Sequence, residues 1–149
     1  VGTVSVAGEL FNFKFLEIIN GTLEMMSTGL NRSFNSVDVS AIGPQGTLAF
    51  VINGDQVGSL KRSNDTGLNL QIDPAANLVV TLTGQFALND TWTLIDYTTL
   101  TGQFAQGTQF TNDQGHEFEI DYGTGDLNTL TLRLTSINPV ATPPTISIN

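Results

Sequence analysis

Few side chains in this sequence could take part in a reaction, and most of them lie close together in its last third. His116 is the only histidine, so a Ser-His-Asp triad or a histidine-based metal site would have to be built around it. It stands between two predicted strands, and we predict a solvent-facing loop residue. Glu117, Glu119 and Asp121 alternate along the chain and should project from one strand face. Such carboxylates can act as the catalytic pair of a glycosidase, but on a strand they more often form its solvent-exposed face. We therefore predict no catalytic residue and no enzymatic activity.

A corner rich in glycine and aspartate, at residues 123–130, faintly resembles the nonapeptide that binds calcium in β-roll proteins. Calcium takes six to eight oxygen ligands. Asp113, Asp121 and Asp126 are the carboxylates that could supply some of them. One copy of the motif provides too few ligands by itself. We therefore expect no required cofactor and no metal site, with calcium as the one candidate ion.

The composition excludes several classes of partner. Fourteen acidic against five basic side chains give a net charge of −9, and such a surface repels nucleic-acid phosphates and anionic membranes. No apolar run approaches the roughly 20 residues of a membrane-spanning helix. Cysteine is absent, which excludes disulfides, thiolate metal sites and a cysteine nucleophile. We expect no nucleic-acid partner and no membrane span.

Apolar and polar residues alternate along most of the chain, and this period of two is that of β-strands. Turn residues separate the alternating runs, as at Asn20-Gly21, Gly43-Pro44 and Asp73-Pro74. The sequence therefore predicts an all-β domain over residues 1–138, with essentially no helix. The predicted strands are Val1–Val6, Leu10–Phe15, Thr22–Met26, Ser36–Ser40, Thr47–Ile52, Leu68–Ile72, Leu78–Leu82, Trp92–Tyr97, Glu117–Tyr122 and Thr129–Thr135.

Two arrangements of these strands remain open. Short strands rich in Leu and Val with glycine-containing corners, such as Leu78–Leu82 and Leu130–Leu134, suit a short β-helix or β-solenoid-like stack. An antiparallel β-sandwich or jelly roll uses strands with the same alternation. Periodicity alone does not separate the two.

Residues 78–134 resemble the C-terminal end of bacterial autotransporter-type, repeat-containing surface passenger proteins. The elements that carry the resemblance are the strand Trp92–Tyr97, the stretch Leu100–Phe104, the strand Phe118–Tyr122, the Gly-Thr-Gly-Asp corner and a closing Leu-Thr-Leu strand. Gly-Thr-Leu at 21–23 and at 46–48 looks like the rung starts of such repeats. The resemblance implies a right-handed β-helix that is secreted or displayed at the cell surface, with a scaffolding or adhesive role. It supplies no active-site residues.

The end of the chain has the composition of a linker followed by a separate strand. Three of the six residues in Pro139–Pro144 are proline, which cannot donate to a ladder and favours an extended linker. An alternating strand follows, and it either begins another domain or pairs with the edge of another copy. The residues to which we assign strand pairing are Thr145, Ile146, Ser147, Ile148 and Asn149 in residues 139–149, and Val4 and Val6 at the other end.

The sequence thus predicts a non-enzymatic structural or adhesive protein at the cell surface or outside the cell. It would be a subunit or segment of a fibre or filament, a homo-oligomer or homopolymer assembled by β-strand pairing between copies. The alternative is a carbohydrate-binding module of a larger secreted protein, in which Trp92, Tyr97 and Tyr122 would stack on the sugar rings of a polysaccharide. A glycan-active enzyme using Glu117, Glu119 and Asp121 is the third hypothesis.

Overall fold

In the computed structural model of the protein, most of the longer strands turn alternate side chains into a common core. The structure describes residues 2–6, 16–27, 32–34, 39–62, 67–123 and 128–139. They form twelve strands and no α-helix, which confirms the all-β prediction. Within these ranges no helix is long and apolar enough to cross a membrane. The strands are β1 Thr3–Val6, β2 Glu17–Met25, β3 Arg32–Phe34, β4 Val39–Asn53, β5 Leu60–Arg62, β6 Asn69–Ile72, β7 Asn77–Thr83, β8 Thr91–Asp96, β9 Thr99–Thr101, β10 Gln109–Thr111, β11 Glu117–Asp121 and β12 Thr129–Ser136.

The strands form two sheets of six. The first has the order β1-β2-β4-β6-β9, with β7 also paired to β4, and the second has the order β10-β11-β12-β8-β5-β3. Pairing is parallel throughout the first sheet and along β3-β5-β8 of the second. It is antiparallel along β10-β11-β12-β8. Because parallel neighbours need a crossover connection, the chain passes between the two sheets as it runs from β2 to β8.

Parallel pairing aligns similar side chains inside the core. Leu23 is the register partner of Leu48, and Leu48 is the partner of Leu78. Neighbouring strands lie about 4.8 Å apart, so partners of this kind stack into continuous apolar columns. Two further columns consist of Met25, Phe50 and Val80, and of Ile18, Ile42 and Ile72. Their members are nearly all fully buried.

β4 is 15 residues long because it turns a corner without leaving the sheet. Its start, Val39–Ile42, pairs with β6, and its end, Thr47–Asn53, pairs with β7. The bend falls at 43–46, opposite a register shift between Ile18 and Asn20 of β2. The strand boundaries predicted at Gly43-Pro44 and Asn20-Gly21 were therefore wrong, because a ladder can continue through a corner that glycine permits.

Other strand predictions are confirmed to within one residue at each end, namely those for β6, β7, β8, β11 and β12. β2 begins earlier than predicted, and Ser36–Ser40 and Thr47–Ile52 contribute to the single strand β4. Four strands were missed, β3, β5, β9 and β10, and each is three residues long. Three residues are too few to display a period. The predicted strand Leu10–Phe15 lies outside the described residues.

The corner at Gly46 gives a test of the close backbone packing between β2 and β4. A Cβ atom there would collide with the carbonyl oxygen of Ile18. We expect Gly46→Ala to lower the free energy of unfolding by about 1–3 kcal/mol, as overpacking does, measured from the midpoint of urea unfolding. Gly2→Ala is the matched control, since nothing lies within 4 Å of the added atom. Equal midpoints for the two variants would contradict this packing.

Candidate functional site

Strand edges at the two ends of the ladder β1-β2-β4-β7 form the candidate site. At one end, β1 pairs with β2, and no other described strand pairs with its outer edge. The carbonyl of Gly2 accepts the N–H of Thr22 at 2.9 Å, so the alternate residues Thr3 and Ser5 direct their backbone groups away from β2. Val4 is 63% exposed, although its register partner Leu23 packs against the core. This end therefore combines an outward-facing backbone edge with an exposed apolar side chain.

At the other end, side-chain amides cover the edge of β7. Gln106 accepts the N–H of Leu78 at 3.1 Å and donates to its carbonyl at 2.8 Å. Gln114 does the same for Leu82, at 2.7 and 2.8 Å. Asn112 donates to the carbonyl of Val80 at 3.0 Å. We refer to Gln106, Asn112 and Gln114 as the amide cap.

A tight turn positions the second half of the amide cap. The carboxamide oxygen of Asn112 accepts the N–H groups of Gln114 and His116, at 3.1 and 2.9 Å. The N–H of Asn112 donates to the carbonyl of His116 at 2.9 Å, which closes the turn. Gln114 is therefore held with its side chain directed back onto β7.

His116 is buried, with 4% of its surface exposed, so the prediction of a solvent-facing residue was wrong. Its Nδ1 accepts the backbone N–H of Asn138 at 3.0 Å, and its ring meets the ring of Phe86 in an edge contact at 5.2 Å. The side chain of Asn138 donates to the carbonyl of Gln114 at 2.9 Å. These contacts fasten the end of the described chain to the turn that carries the amide cap. The role of His116 in this arrangement is structural.

The three alternating carboxylates lie on one face of β11, as predicted. Phe118 and Ile120 between them are buried, whereas Glu117, Glu119 and Asp121 lie on the other face. Glu119 forms a 2.6 Å salt bridge with Arg133 of β12, and both side chains are more than 40% exposed. The carboxylates thus lie on the outer surface of an antiparallel sheet, and they do not face one another across a cleft.

The aromatic residues proposed to stack on sugars belong mainly to the core. Trp92 and Tyr97 are 3% and 6% exposed, so their ring faces are not available to stack on sugars. The Trp92 indole donates to the carbonyl of Gly54 at 2.9 Å. Both aromatic residues alternate with polar neighbours, and this alternation turns their rings inward. Tyr122 is half-buried against the same core.

The two tyrosines form a short hydrogen-bonded chain. The Tyr97 hydroxyl donates to the carbonyl of Tyr122 at 2.7 Å, and the Tyr122 hydroxyl donates to the carbonyl of Gly107 at 2.8 Å. Burial raises the pKa of Tyr97, and the Asp121 carboxylate adds to that effect. Burial also raises the pKa of Tyr122, which a hydrogen bond from the N–H of Phe104 partly offsets. Both phenols therefore favour the protonated form in the folded chain.

A polar cleft opens beside the end of β7 and the start of β8. Its volume is about 650 Å³. The Asp90 carboxylate in its wall accepts the N–H of Ala87 at 2.7 Å, and Trp92 is too deeply buried to present its ring face. The cleft suits hydroxyl-rich ligands by its chemistry but offers them no stacking surface. It is lined by Asn53, Gly54, Asp55, Gln56, Gln85, Asn89, Asp90, Thr91 and Trp92.

The remaining predicted site residues fall partly outside the described ranges. Among the residues that the structure describes, no group of three or more His, Asp or Glu side chains is arranged to hold a metal ion. Asp126 of the predicted calcium corner lies in the undescribed residues 124–127, and the Asp121 carboxylate accepts the N–H of Gly123 at 2.9 Å. Residues 140–144 of the linker and the predicted strand Thr145–Asn149 also lie outside them, so both assignments stay predictions.

Replacing His116 tests its structural role. We expect His116→Ala to lower the free energy of unfolding by about 1–3 kcal/mol, because it removes the acceptor of the half-buried Asn138 N–H and opens a gap beside Phe86. Chemical denaturation monitored by circular dichroism measures the loss. Asp113→Ala, at an exposed position in the same turn, is the control. An unchanged midpoint in His116→Ala would show that the hydrogen bond between His116 and Asn138 contributes nothing to stability.

Alkaline titration tests the tyrosine pair, since Tyr97 and Tyr122 are the only tyrosines. Their folded pKa values lie above the ordinary 10.0, so protonation of both phenols stabilises the fold. That stability is complete below pH 10 and is lost as the pH rises through the raised values. We expect tyrosinate absorbance to appear above pH 10 and together with unfolding. Ionisation of both at the ordinary value in a still-folded chain would contradict this.

The chain matches no protein-family model, no curated protein and no solved structure. The resemblance of residues 78–134 to autotransporter-type passenger proteins therefore stays a prediction. The strand edges and the surface of the fold are therefore the basis for a functional proposal.

Proposed function

We propose that this chain is a non-enzymatic structural segment of a fibre or filament at the cell surface or outside the cell. In this proposal it is a short right-handed β-solenoid stack that assembles when a strand from another copy adds to the outer edge of β1. The observation that carries the proposal is the in-register ladder β1-β2-β4-β7, with one edge covered by amides and the other facing outward.

The pairing pattern supports a stack. Strands β2, β4 and β7 of the first sheet and β3, β5 and β8 of the second are parallel neighbours in chain order. Each passage from one sheet to the other and back thus adds a strand to both ladders, as a rung of a solenoid does. Parallel crossovers of this kind are nearly always right-handed, which is the basis for the proposed hand.

The acceptor in this proposal is the edge formed by Thr3 and Ser5. An added strand would bond to their outward N–H and C=O groups, as in β-strand addition to an exposed sheet edge. Val4 would then be covered by a side chain of the added strand, extending the apolar column through Leu23, Leu48 and Leu78. One added strand would thus cover both the exposed side chain of Val4 and the exposed backbone edge.

The donor in this proposal is Thr145–Asn149 of another copy. Burying Ile146 and Ile148 would contribute about 1.5–3 kcal/mol each, and ordering each residue of the strand costs about 1–2 kcal/mol. Backbone hydrogen bonds to the edge would add about 0.5–1.5 kcal/mol each, which brings the total gain close to the cost of ordering five residues. The strand should therefore form only where an edge already exists. The preceding linker Pro139–Pro144 can span up to about 20 Å when extended, which gives the donor reach beyond its own molecule.

The composition of the chain supports the proposed extracellular location. Charged residues make up only 13% of the sequence and cysteine is absent. A net charge of −9 also keeps assembled copies soluble. The resemblance to surface passenger proteins agrees with this location.

Carbohydrate binding is the second candidate function, and the polar cleft beside β8 is the observation that favours it. Amide and carboxylate groups such as Gln85 and Asp55 line its wall and could bond to sugar hydroxyls. A polysaccharide-binding module has no need to self-associate, so the assembly test below separates the two functions.

Substitutions at the donor and at the acceptor test the assembly proposal. The wild-type chain should associate as its concentration rises, measured by analytical ultracentrifugation and electron microscopy. Ile146→Asp with Ile148→Asp should leave a folded monomer, because the donor can no longer bury its apolar face. Thr3→Pro should do the same by removing an outward N–H, while proline is tolerated on an edge strand.

The control is Leu88→Asp, which places one such carboxylate at a position that is 53% exposed. It should assemble as the wild type does. Wild-type protein that remains monomeric at every concentration, or donor and acceptor variants that assemble normally, would show the proposal to be wrong.

A further inference from the structure

We propose that the amide cap withholds the edge of β7 from strand addition between copies, so that the stack can associate through only one of its ends. The part of this inference that concerns the direction of assembly rests on the proposed function. The part that concerns β7 rests on the structure of the cap alone.

β7 needs such a device more than the other edge strands do. It is seven residues long, whereas β1 has four residues and β3, β9 and β10 have three each. Long edges with regular backbone groups are templates for association. Leu78, Val80 and Leu82 turn their side chains into the core and present their backbone groups on the side away from β4. Among the described strands, β7 without the cap would be the longest edge available for strand pairing.

The amide side chain imitates a peptide group. A glutamine carries one carbonyl acceptor and an NH₂ donor, so it can bond to both the N–H and the C=O of one residue, as a neighbouring strand would. Gln106 does this at Leu78, and Gln114 repeats it at Leu82. Unlike a strand, a glutamine side chain has no second edge. The cap thus occupies both backbone groups of Leu78 and of Leu82 and the carbonyl of Val80, and it ends the ladder.

The cap can form because the chain after β9 does not continue as a strand alongside β7. β9 pairs with β6, and Gly102 then takes a φ of +86° close to the carbonyl of Ile72. The N–H of Ala105 still donates to the carbonyl of Ala76 at 2.8 Å. From the next residue, Gln106, side chains replace backbone as the partners of β7. Side-chain hydrogen bonds to β7 therefore begin at the residue where backbone pairing ends.

The contacts of Asn138 hold this cap against displacement. Its backbone N–H and its side chain bond to His116 and Gln114, respectively. The turn from Asn112 to His116 is thus fastened to the segment that follows β12. An incoming strand would have to break the amide bonds and also dislodge this turn.

Gln106→Met combined with Gln114→Met tests the inference, because methionine keeps the length of the side chain and lacks the amide. In the folded variant, the N–H groups of Leu78 and Leu82 should exchange with solvent about tenfold or more faster than in the wild type. The uncapped edges of two copies should also pair with each other about a two-fold axis. Sedimentation should therefore detect a new dimer. Gln109→Met, at an exposed site on β10, should change neither measurement.

The test is made in two backgrounds so that its outcome is independent of the proposed function. With Thr3→Pro present, assembly through β1 is blocked, and the cap variant should still form dimers through β7. Failure of Thr3→Pro alone to affect wild-type assembly counts against the proposed function and leaves the cap inference standing.

Folded cap variants with the oligomeric state of their parent in both backgrounds would overturn the inference, as would unchanged exchange at Leu78 and Leu82. If the double variant does not fold, the single variants Gln106→Met and Gln114→Met carry the same test. Each keeps the other glutamine and Asn112 in place, and each should expose only its own backbone partner to exchange. Folded single variants that retain wild-type exchange and association would overturn the inference equally.

Discussion

The in-register parallel pairing of β2, β4 and β7 is the constraint on which the rest of this structure depends. It aligns Leu23 with Leu48 and Leu48 with Leu78, and thereby builds apolar columns that run across the sheet. It also brings the backbones so close at the corner that Gly46 has no room for a Cβ atom beside Ile18. The apolar columns and the backbone hydrogen bonds both run across the strands, so each added strand extends both of them.

A ladder of this kind has two ends, and its ends differ in chemistry. β7 meets glutamine and asparagine side chains that reproduce the hydrogen bonds of a strand. β1 keeps an outward backbone edge beside the exposed side chain of Val4. A stack with equal ends would associate in either direction or into irregular aggregates. Unequal ends are what a directional assembly requires, and this asymmetry underlies the proposal of a fibre segment.

Several residues whose types suggest chemistry are used to hold the second sheet and the cap in place. His116 accepts a backbone N–H and packs on Phe86. Glu119 joins β11 to β12 through Arg133. The tyrosine pair connects the ends of β8 and β11 to the loop before β10. In each case a polar group is matched to a partner within the fold.

The amino-acid sequence by itself determined that the chain is built of strands, and where many of them lie. Alternation is a local property, since successive side chains of a strand point to opposite faces. Leu78–Leu82 could therefore be located without knowledge of its neighbours. The same alternation fails for three-residue strands such as β5, and it fails at Gly43-Pro44, where a corner lies within β4.

Only the tertiary structure decided which strands pair and what each polar side chain meets. The parallel partner of Leu78–Leu82 is Leu48–Ile52, and nothing in the pattern of either segment distinguishes a parallel from an antiparallel neighbour. His116 and Gln114 are polar residues of a loop in the sequence, yet the fold buries His116 and places the Gln114 side chain against β7. Pairing and capping are contacts between residues about thirty positions apart. They depend on where the whole chain brings those residues together, whereas the alternation of each strand depends only on its own backbone.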